Sequence, residues 1–318
     1  MPMPLQQQAR VTPHHSAMQA QSVTMQWISW QHTTPSGFTL RGWHTPPSGK
    51  PLVHFLHGNG FCGRMYEPML AHLAHTHDLW LCDVQGHGDS DHGGPFEGWN
   101  ANARHAMAAL QAQGQAFASA PKLAVGHSFG GVLTSLMLAE APTLFDRAVL
   151  LDPVLFTPTM QMAMSMAELT GMNRHSPLAR QARARRHTWP SRQAARENLQ
   201  GRGVYKGWAP DALDAFVQHA LKDADDGTVQ LKCRPSREAE IFSSSPERLW
   251  NHLGRVRTPT LVLHAEHTFP FVTESVRRWA DTNPAVQAQQ VPGGHCFMQE
   301  APADTAQRML PFLLGAAG

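Results

Sequence analysis

With 318 residues, 42% of them hydrophobic and 16% charged, the chain is long enough to bury a sizeable core in one or two domains. A formal net charge of +2 implies neither a nucleic-acid nor a membrane-lipid partner. No window approaches the roughly 18 apolar residues of a membrane span. The four cysteines, Cys62, Cys82, Cys233 and Cys296, show no C-x-x-C spacing, which favours reduced thiols and a cytoplasmic setting.

Residues 1–21 are rich in Gln, Pro and His, without a secretory apolar region, and read as a disordered leader. Val23–Trp30 and Phe38–His44 alternate well enough for two strands joined at Thr34-Pro35-Ser36-Gly37. Leu52–Leu56 is a compact apolar strand, Tyr66–His75 a helix and Leu79–Cys82 a buried strand. Trp99–Phe117 reads as a long helix, Leu123–Val125 as a strand, Val132–Ala139 as a helix and Ala148–Leu151 as a strand. The rhythm then breaks for about a hundred residues. It returns with strand Leu261–His264, helix Thr273–Ala280, strand Val286–Val291 and helix Ala303–Leu314. Strands alternating with helices predict an α/β fold, a doubly wound, mostly parallel sheet covered on both faces.

The predicted organisation is a core of residues 22–152 and 250–318, with a helical cap, residues 153–249, inserted after the sixth strand. The cap holds a methionine cluster, Met160, Met162, Met164, Met166 and Met172. It suits either a substrate-facing lid or ordinary helix packing. From Arg174 to Lys206 nine basic residues face one acid, Glu197. The pattern fits a solvated outer face, with attraction of an anionic substrate as the alternative.

The chemistry centres on Gly126-His127-Ser128-Phe129-Gly130, between a predicted strand and a predicted helix. Flanking glycines let the backbone turn sharply and hold a serine strained, its hydroxyl exposed at a helix N-terminus. Ser128 is therefore the candidate nucleophile. His295, in the loop after the last strand, is the candidate base. The backbone N–H of Phe129 and that of Asn59, in His57-Gly58-Asn59-Gly60, are the candidate oxyanion donors. His57 and His127 are expected to pack or to orient loops. All these residues follow predicted strands, so they should converge on the carboxyl rim of the sheet, where ligands of such sheets sit.

The order of H-G-N-G, Asp83-x-x-G-H-G-D-Ser90, G-H-S-F-G-G and G-G-H-C-F resembles the α/β-hydrolase fold superfamily from about Val23 to Leu314. The resemblance implies a structural role for Gly86-His87-Gly88-Asp89-Ser90. It also implies a triad acid after the seventh strand, where this chain carries Thr268. The acid is then Asp152, after the sixth strand. Glu266 is an alternative, as are a cap residue such as Glu240 and a Ser–His dyad. The favoured activity is hydrolysis of a small-molecule carboxylic ester or thioester through an acyl-enzyme, with no metal and no cofactor. The alternatives are carbon–carbon bond hydrolysis, acyl transfer, cofactor-free oxygenation, and a ligand-binding protein without turnover. Oligomeric state is open.

Overall fold

The computed structural model describes residues 25–170 and 176–315. The expected leader, Met172 and Arg174 lie outside the described residues. The elements run β1 (Ile28–Thr33), β2 (Thr39–His44), β3 (Leu52–Leu56), α1 (Glu67–Leu73), β4 (Asp78–Asp83), α2 (Trp99–Gln113), β5 (Lys122–His127), α3 (Phe129–Glu140) and β6 (Arg147–Leu151). After β6 come α4 (Pro158–Thr170), α5 (Pro177–Ala184), β7 (Thr188–Trp189), α6 (Arg192–Leu199), α7 (Pro210–His219), β8 (Leu221–Asp223), β9 (Val229–Leu231), α8 (Pro235–Phe242) and α9 (Leu249–Leu253). The chain closes with β10 (Thr260–His267), α10 (Pro270–Thr282), β11 (Val286–Gly294), α11 (Phe297–Glu300) and α12 (Pro302–Leu314).

Eight strands form one sheet in the order β1-β2-β4-β3-β5-β6-β10-β11. The hairpin β1–β2 is antiparallel and joins antiparallel to β4; every other pairing is parallel. Side chains alternate between two apolar layers, as the two-residue period of a strand requires. Val53, Phe55, Leu79, Leu81, Leu123 and Val125 face one layer, which α1 and α12 complete through Met69, Leu70, Met309 and Leu313. Leu52, Leu56, Trp80, Ala124 and Leu150 face the other, where α2, α3 and α10 contribute Leu110, Leu133, Leu136 and Trp279. With both faces covered, the carboxyl ends of the strands are where polar chemistry gathers.

The observed boundaries differ from the predicted ones where side-chain pattern is a poor guide. β1 begins at Ile28 and runs past Trp30 to Thr33, because its register is set by pairing with β2 up to the Gly37 turn. The helix from Trp99 ends at Gln113, before Gly114, and a short 3-10 turn carries the chain through Phe117. The segment between β6 and β10 is not helical throughout. It includes a small antiparallel sheet in the order β7-β9-β8. Met160 and Met164 of α4 pack on the core layer shared with α3, whereas Met162 and Met166 are 64% exposed. Its basic run is only partly a solvated face: Arg192 pairs with Asp223, Arg196 with Asp214, and Arg185 is drawn inward to Glu238 and Tyr205. Among the described residues no helix is long and apolar enough to cross a membrane.

His54, in the middle of β3, is fully buried beside Phe145, and neither ring nitrogen has a hydrogen-bond partner among the described residues. Burial pushes its pKa from 6.5 down to about 3, and that of His57 down to about 4. A depressed folded-state pKa means that the unfolded chain takes up protons first as pH falls through 6.5, so stability present at neutral pH is lost toward acid. Each such histidine is worth about 2 kcal/mol between roughly pH 7 and pH 5. The urea midpoint of the protein is therefore expected to fall steeply over that interval. The fall should be shallower in His54→Leu by about one histidine's share. An unaltered slope would show that His54 accepts its proton within the fold.

Candidate active site

Ser128 sits at the junction of β5 and α3 with φ 53° and ψ −116°, a conformation that costs about 1–3 kcal/mol for a side-chain-bearing residue. Its neighbours explain why the turn closes. A Cβ on Gly126 would lie 2.4 Å from the Thr134 hydroxyl, and one on Gly130 2.4 Å from the Leu56 carbonyl oxygen. The glycines supply close approach, and the positive φ falls on the serine itself. The Ser128 N–H donates to the Leu151 carbonyl at 2.9 Å, so the turn is tied to the end of β6.

Asp152 follows immediately on β6 with φ 43°, and its side chain is completely buried. One carboxylate oxygen accepts the Ala265 N–H at 2.8 Å; the other accepts the hydroxyl of Thr268 and meets His295 Nδ1 at 2.5 Å. The Ala265 N–H is free to do this because the β10–β6 ladder ends at the Leu263–Leu151 pair, two residues earlier. On the other side of the imidazole, His295 Nε2 lies 2.9 Å from Ser128 Oγ. Ser128, His295 and Asp152 thus form one continuous hydrogen-bonded row. Because the carboxylate only accepts, Nδ1 carries the proton and Nε2 is left to accept from the serine.

Of the other acids weighed from the sequence, Glu266 is exposed and does not contact His295, and Glu240 pairs with Arg237 at 2.7 Å. Thr268, where an acid is absent, contributes a donor to the acid that is present. The His295 loop is pinned in its own right, since the Glu300 carboxylate accepts the Gly294 N–H at 3.1 Å.

The loop after β3 packs against the first turn of α3, as the Gly130–Leu56 approach requires. The N–H of Asn59 in that loop and the N–H of Phe129 at the start of α3 donate to no partner among the described residues. His57 accepts the Val84 N–H on Nε2 at 3.1 Å, so its Nδ1–H donates to the Gly58 carbonyl at 2.8 Å. His127 donates from Nε2 to the His295 carbonyl at 3.1 Å and accepts the Tyr66 hydroxyl on Nδ1 at 2.7 Å. Both histidines orient loops. Tyr66, Thr268 and Glu300 went unread in the sequence as site residues, because their partners lie 6 to 116 positions away.

Asp83 stands behind this loop. Its carboxylate accepts N–H groups of Gly63 at 2.7 Å and Asp89 at 3.0 Å, and burial pushes its pKa up to about 6. A Cβ on Gly88 would lie 2.0 Å from that carboxylate, which accounts for the glycine in Gly86–Ser90. Cys62 and Cys296 are buried free thiols whose pKa values burial drives upward.

The chain belongs to the alpha/beta hydrolase family, whose family model matches residues 55–308. Among curated relatives it is 27% identical over 194 residues to the type I acyl-CoA thioesterase mpaH of Penicillium roqueforti, covering 57% of this chain and 42% of that one. It is 35% identical over 107 residues to the lipase LipV of Mycobacterium tuberculosis, covering 34% of this chain and 39% of that protein. The matched part spans about two fifths of the length of these relatives. Among solved structures, E-2-(acetamidomethylene)succinate hydrolase superposes with a TM-score of 0.68 at 22% identity, covering 92% of this chain and all of that one; this likeness is one of fold.

Thr268→Val keeps the volume but deletes a donor to a buried carboxylate, a change worth roughly 1.5–3 kcal/mol. Its urea midpoint is expected to drop accordingly, while that of Glu266→Gln stays at the wild-type value. Equal midpoints for the two variants would mean that the Thr268 hydroxyl carries none of the Asp152 charge.

Proposed function

We propose that this chain is a serine hydrolase that cleaves a small-molecule carboxylic ester or thioester through an acyl-enzyme on Ser128. The observation that carries the reading is the single imidazole of His295 bridging Ser128 Oγ and the buried Asp152 carboxylate. Ser128 Oγ bonds to the acyl carbon while its proton passes to His295 Nε2. The tetrahedral oxyanion is held by the N–H groups of Asn59 and Phe129, the second reinforced by the N-terminus of α3. As the bond to the leaving oxygen or sulfur breaks, His295 returns the proton to it. Water then attacks the acyl carbon, giving its proton to the same nitrogen; the bond from the acyl carbon to Oγ breaks, His295 returns that proton to Ser128 Oγ, and the acid departs as product. Asp152 keeps the proton of the resting imidazole on Nδ1 and stabilises the imidazolium formed at each step.

Membership of a hydrolase family and the relatives' names, an acyl-CoA thioesterase and a lipase, support the reaction class. In the same reading residues 153–249 cap the site. The Asn59 side-chain amide donates from Nδ2 to the Glu238 carbonyl at 3.1 Å, which brings α8 against the oxyanion loop. Four free, buried cysteines accord with a reducing, cytoplasmic setting. The hydroxyl of Thr268 is bonded to Asp152, so that position gives no support to a binding protein stripped of turnover.

The test is fluorophosphonate labelling together with turnover of p-nitrophenyl esters of increasing chain length. Wild-type protein is expected to label and turn over, and Ser128→Ala to do neither while melting like the wild type. Label retained in Ser128→Ala would reject the nucleophile. Asp152→Asn is expected to lower kcat about 10³–10⁴-fold, as loss of an orienting carboxylate does in comparable triads, against no change in Glu266→Gln.

A further inference from the structure

Two loops must hold their distance for the proposed chemistry: the one that offers the Asn59 N–H and the one that carries His295. They are joined by a buried polar chain that the reaction itself does not use. The Gly58 N–H donates to Tyr66 Oη at 3.1 Å, and the Tyr66 hydroxyl lies 2.7 Å from His127 Nδ1. His127 Nε2 lies 3.1 Å from the His295 carbonyl oxygen.

The direction of every proton in this chain is forced. A carbonyl only accepts, so His127 Nε2 carries hydrogen. The ring is wholly buried, and burial together with the neighbouring His295 holds its pKa well below 6.5, so it is neutral and Nδ1 is bare. Tyr66 therefore gives its one hydroxyl hydrogen to His127, and its oxygen is left to accept from Gly58. The Gly58–Asn59 peptide, whose N–H is the oxyanion donor, is clamped on its carbonyl side as well: His57 Nδ1–H donates to the Gly58 oxygen at 2.8 Å and the Phe61 N–H at 3.2 Å. With that oxygen fixed, the Asn59 N–H points the opposite way, as a trans peptide dictates.

We propose that Tyr66 and His127 are positioning residues that set the geometry of the oxyanion donor relative to the His295 base, so that they act on the transition state and leave substrate binding alone. This inference rests on the serine-hydrolase reading. Neither side chain touches the reacting atoms. Removing the Tyr66 hydroxyl orphans both a buried N–H and a buried imidazole nitrogen while keeping the ring that packs on Phe55 and Phe61. Loss of one oxyanion donor costs about 10²–10³ in kcat; a loosened donor costs less than an absent one.

The experiment compares wild type, Tyr66→Phe, His127→Gln and His127→Ala, with p-nitrophenyl butyrate turnover and thermal melting read on each. Tyr66→Phe is expected to lower kcat about 10–50-fold with KM within twofold. His127→Gln, whose amide reaches the Nε2 position and donates to the His295 carbonyl, is expected to retain at least fivefold more kcat than His127→Ala. In the double variant Tyr66→Phe/His127→Ala the two losses should fail to multiply, because either change breaks the same chain. A purely structural role would lower the melting temperature of each variant and leave kcat of the folded fraction at the wild-type value. Such a result overturns the inference and leaves the hydrolase reading standing. A wild type without Ser128-dependent turnover removes the hydrolase reading, and this inference with it.

Discussion

The site depends first on a carboxylate taken wholly out of water. Asp152 lies at the end of β6 and collects N–H or O–H groups from Ala265 and Thr268 at the end of β10 and from His295 beyond β11. A buried charge of this kind is tolerable only when every lone pair that faces protein is met. Meeting them draws three strand ends into one corner. The positive φ of Asp152 belongs to the same corner, and the bond from its own N–H to the Leu263 carbonyl at 2.7 Å holds it in place.

The second constraint is steric, and it works from the opposite face of the corner. Ser128 is forced into its turn because α3 must start almost in contact with the ends of β3 and β6. That contact leaves no room for a side chain at Gly130, and the Thr134 hydroxyl and Gly130 carbonyl of α3 leave none at Gly126. Two residues, Ser128 and Asp152, therefore carry strain within a few ångströms of each other, and both are covalently continuous with parallel strands buried on both faces. A strained residue persists only where its surroundings over-determine it. Here the surroundings are strands packed on both faces. The described part of the segment between β6 and β10 is tied to them through contacts such as Lys232 with Asp89 and the Asn59 side-chain amide with the Glu238 carbonyl.

Much of this was legible in the chain. Seven of the eight strands of the main sheet coincide closely with strands expected from apolar runs or alternation, and Gly126–Gly130 reads correctly as a strand–turn–helix junction because glycine spacing and apolar flanks are local properties. The structure also brings Ser128, His295 and Asp152 together. What escaped reading depends on long-range partners. Thr268 looked like a missing acid since a side chain was judged by the charge it lacks, and its value as a donor appears only when Asp152 lies beside it. Tyr66 looked like the start of a helix, and its hydroxyl acquires a partner only 61 positions away. The strands β7, β8 and β9 are two or three residues long, too short for any period to declare itself. β1 was misplaced for a related reason: an edge strand with alternating exposure takes its register from its neighbour.

The histidines show how one residue type separates into distinct tasks by environment. His54 has no hydrogen-bond partner among the described residues and is a neutral wedge in the core. His57, His87 and His127 are each given a definite tautomer or stripped of charge by burial, which turns a titrating group into a fixed donor–acceptor pair. His295 alone among these is open to solvent on one side, with 23% of its side chain exposed, and its two nitrogens face a carboxylate and a hydroxyl. A ring that must take and return a proton needs both an anion to stabilise its charged form and a path to what it protonates. The fold supplies that combination to His295 and denies it to the others. The buried rings, whose pKa values burial holds below 6.5, are suited to keep loop geometry constant beside the proposed base.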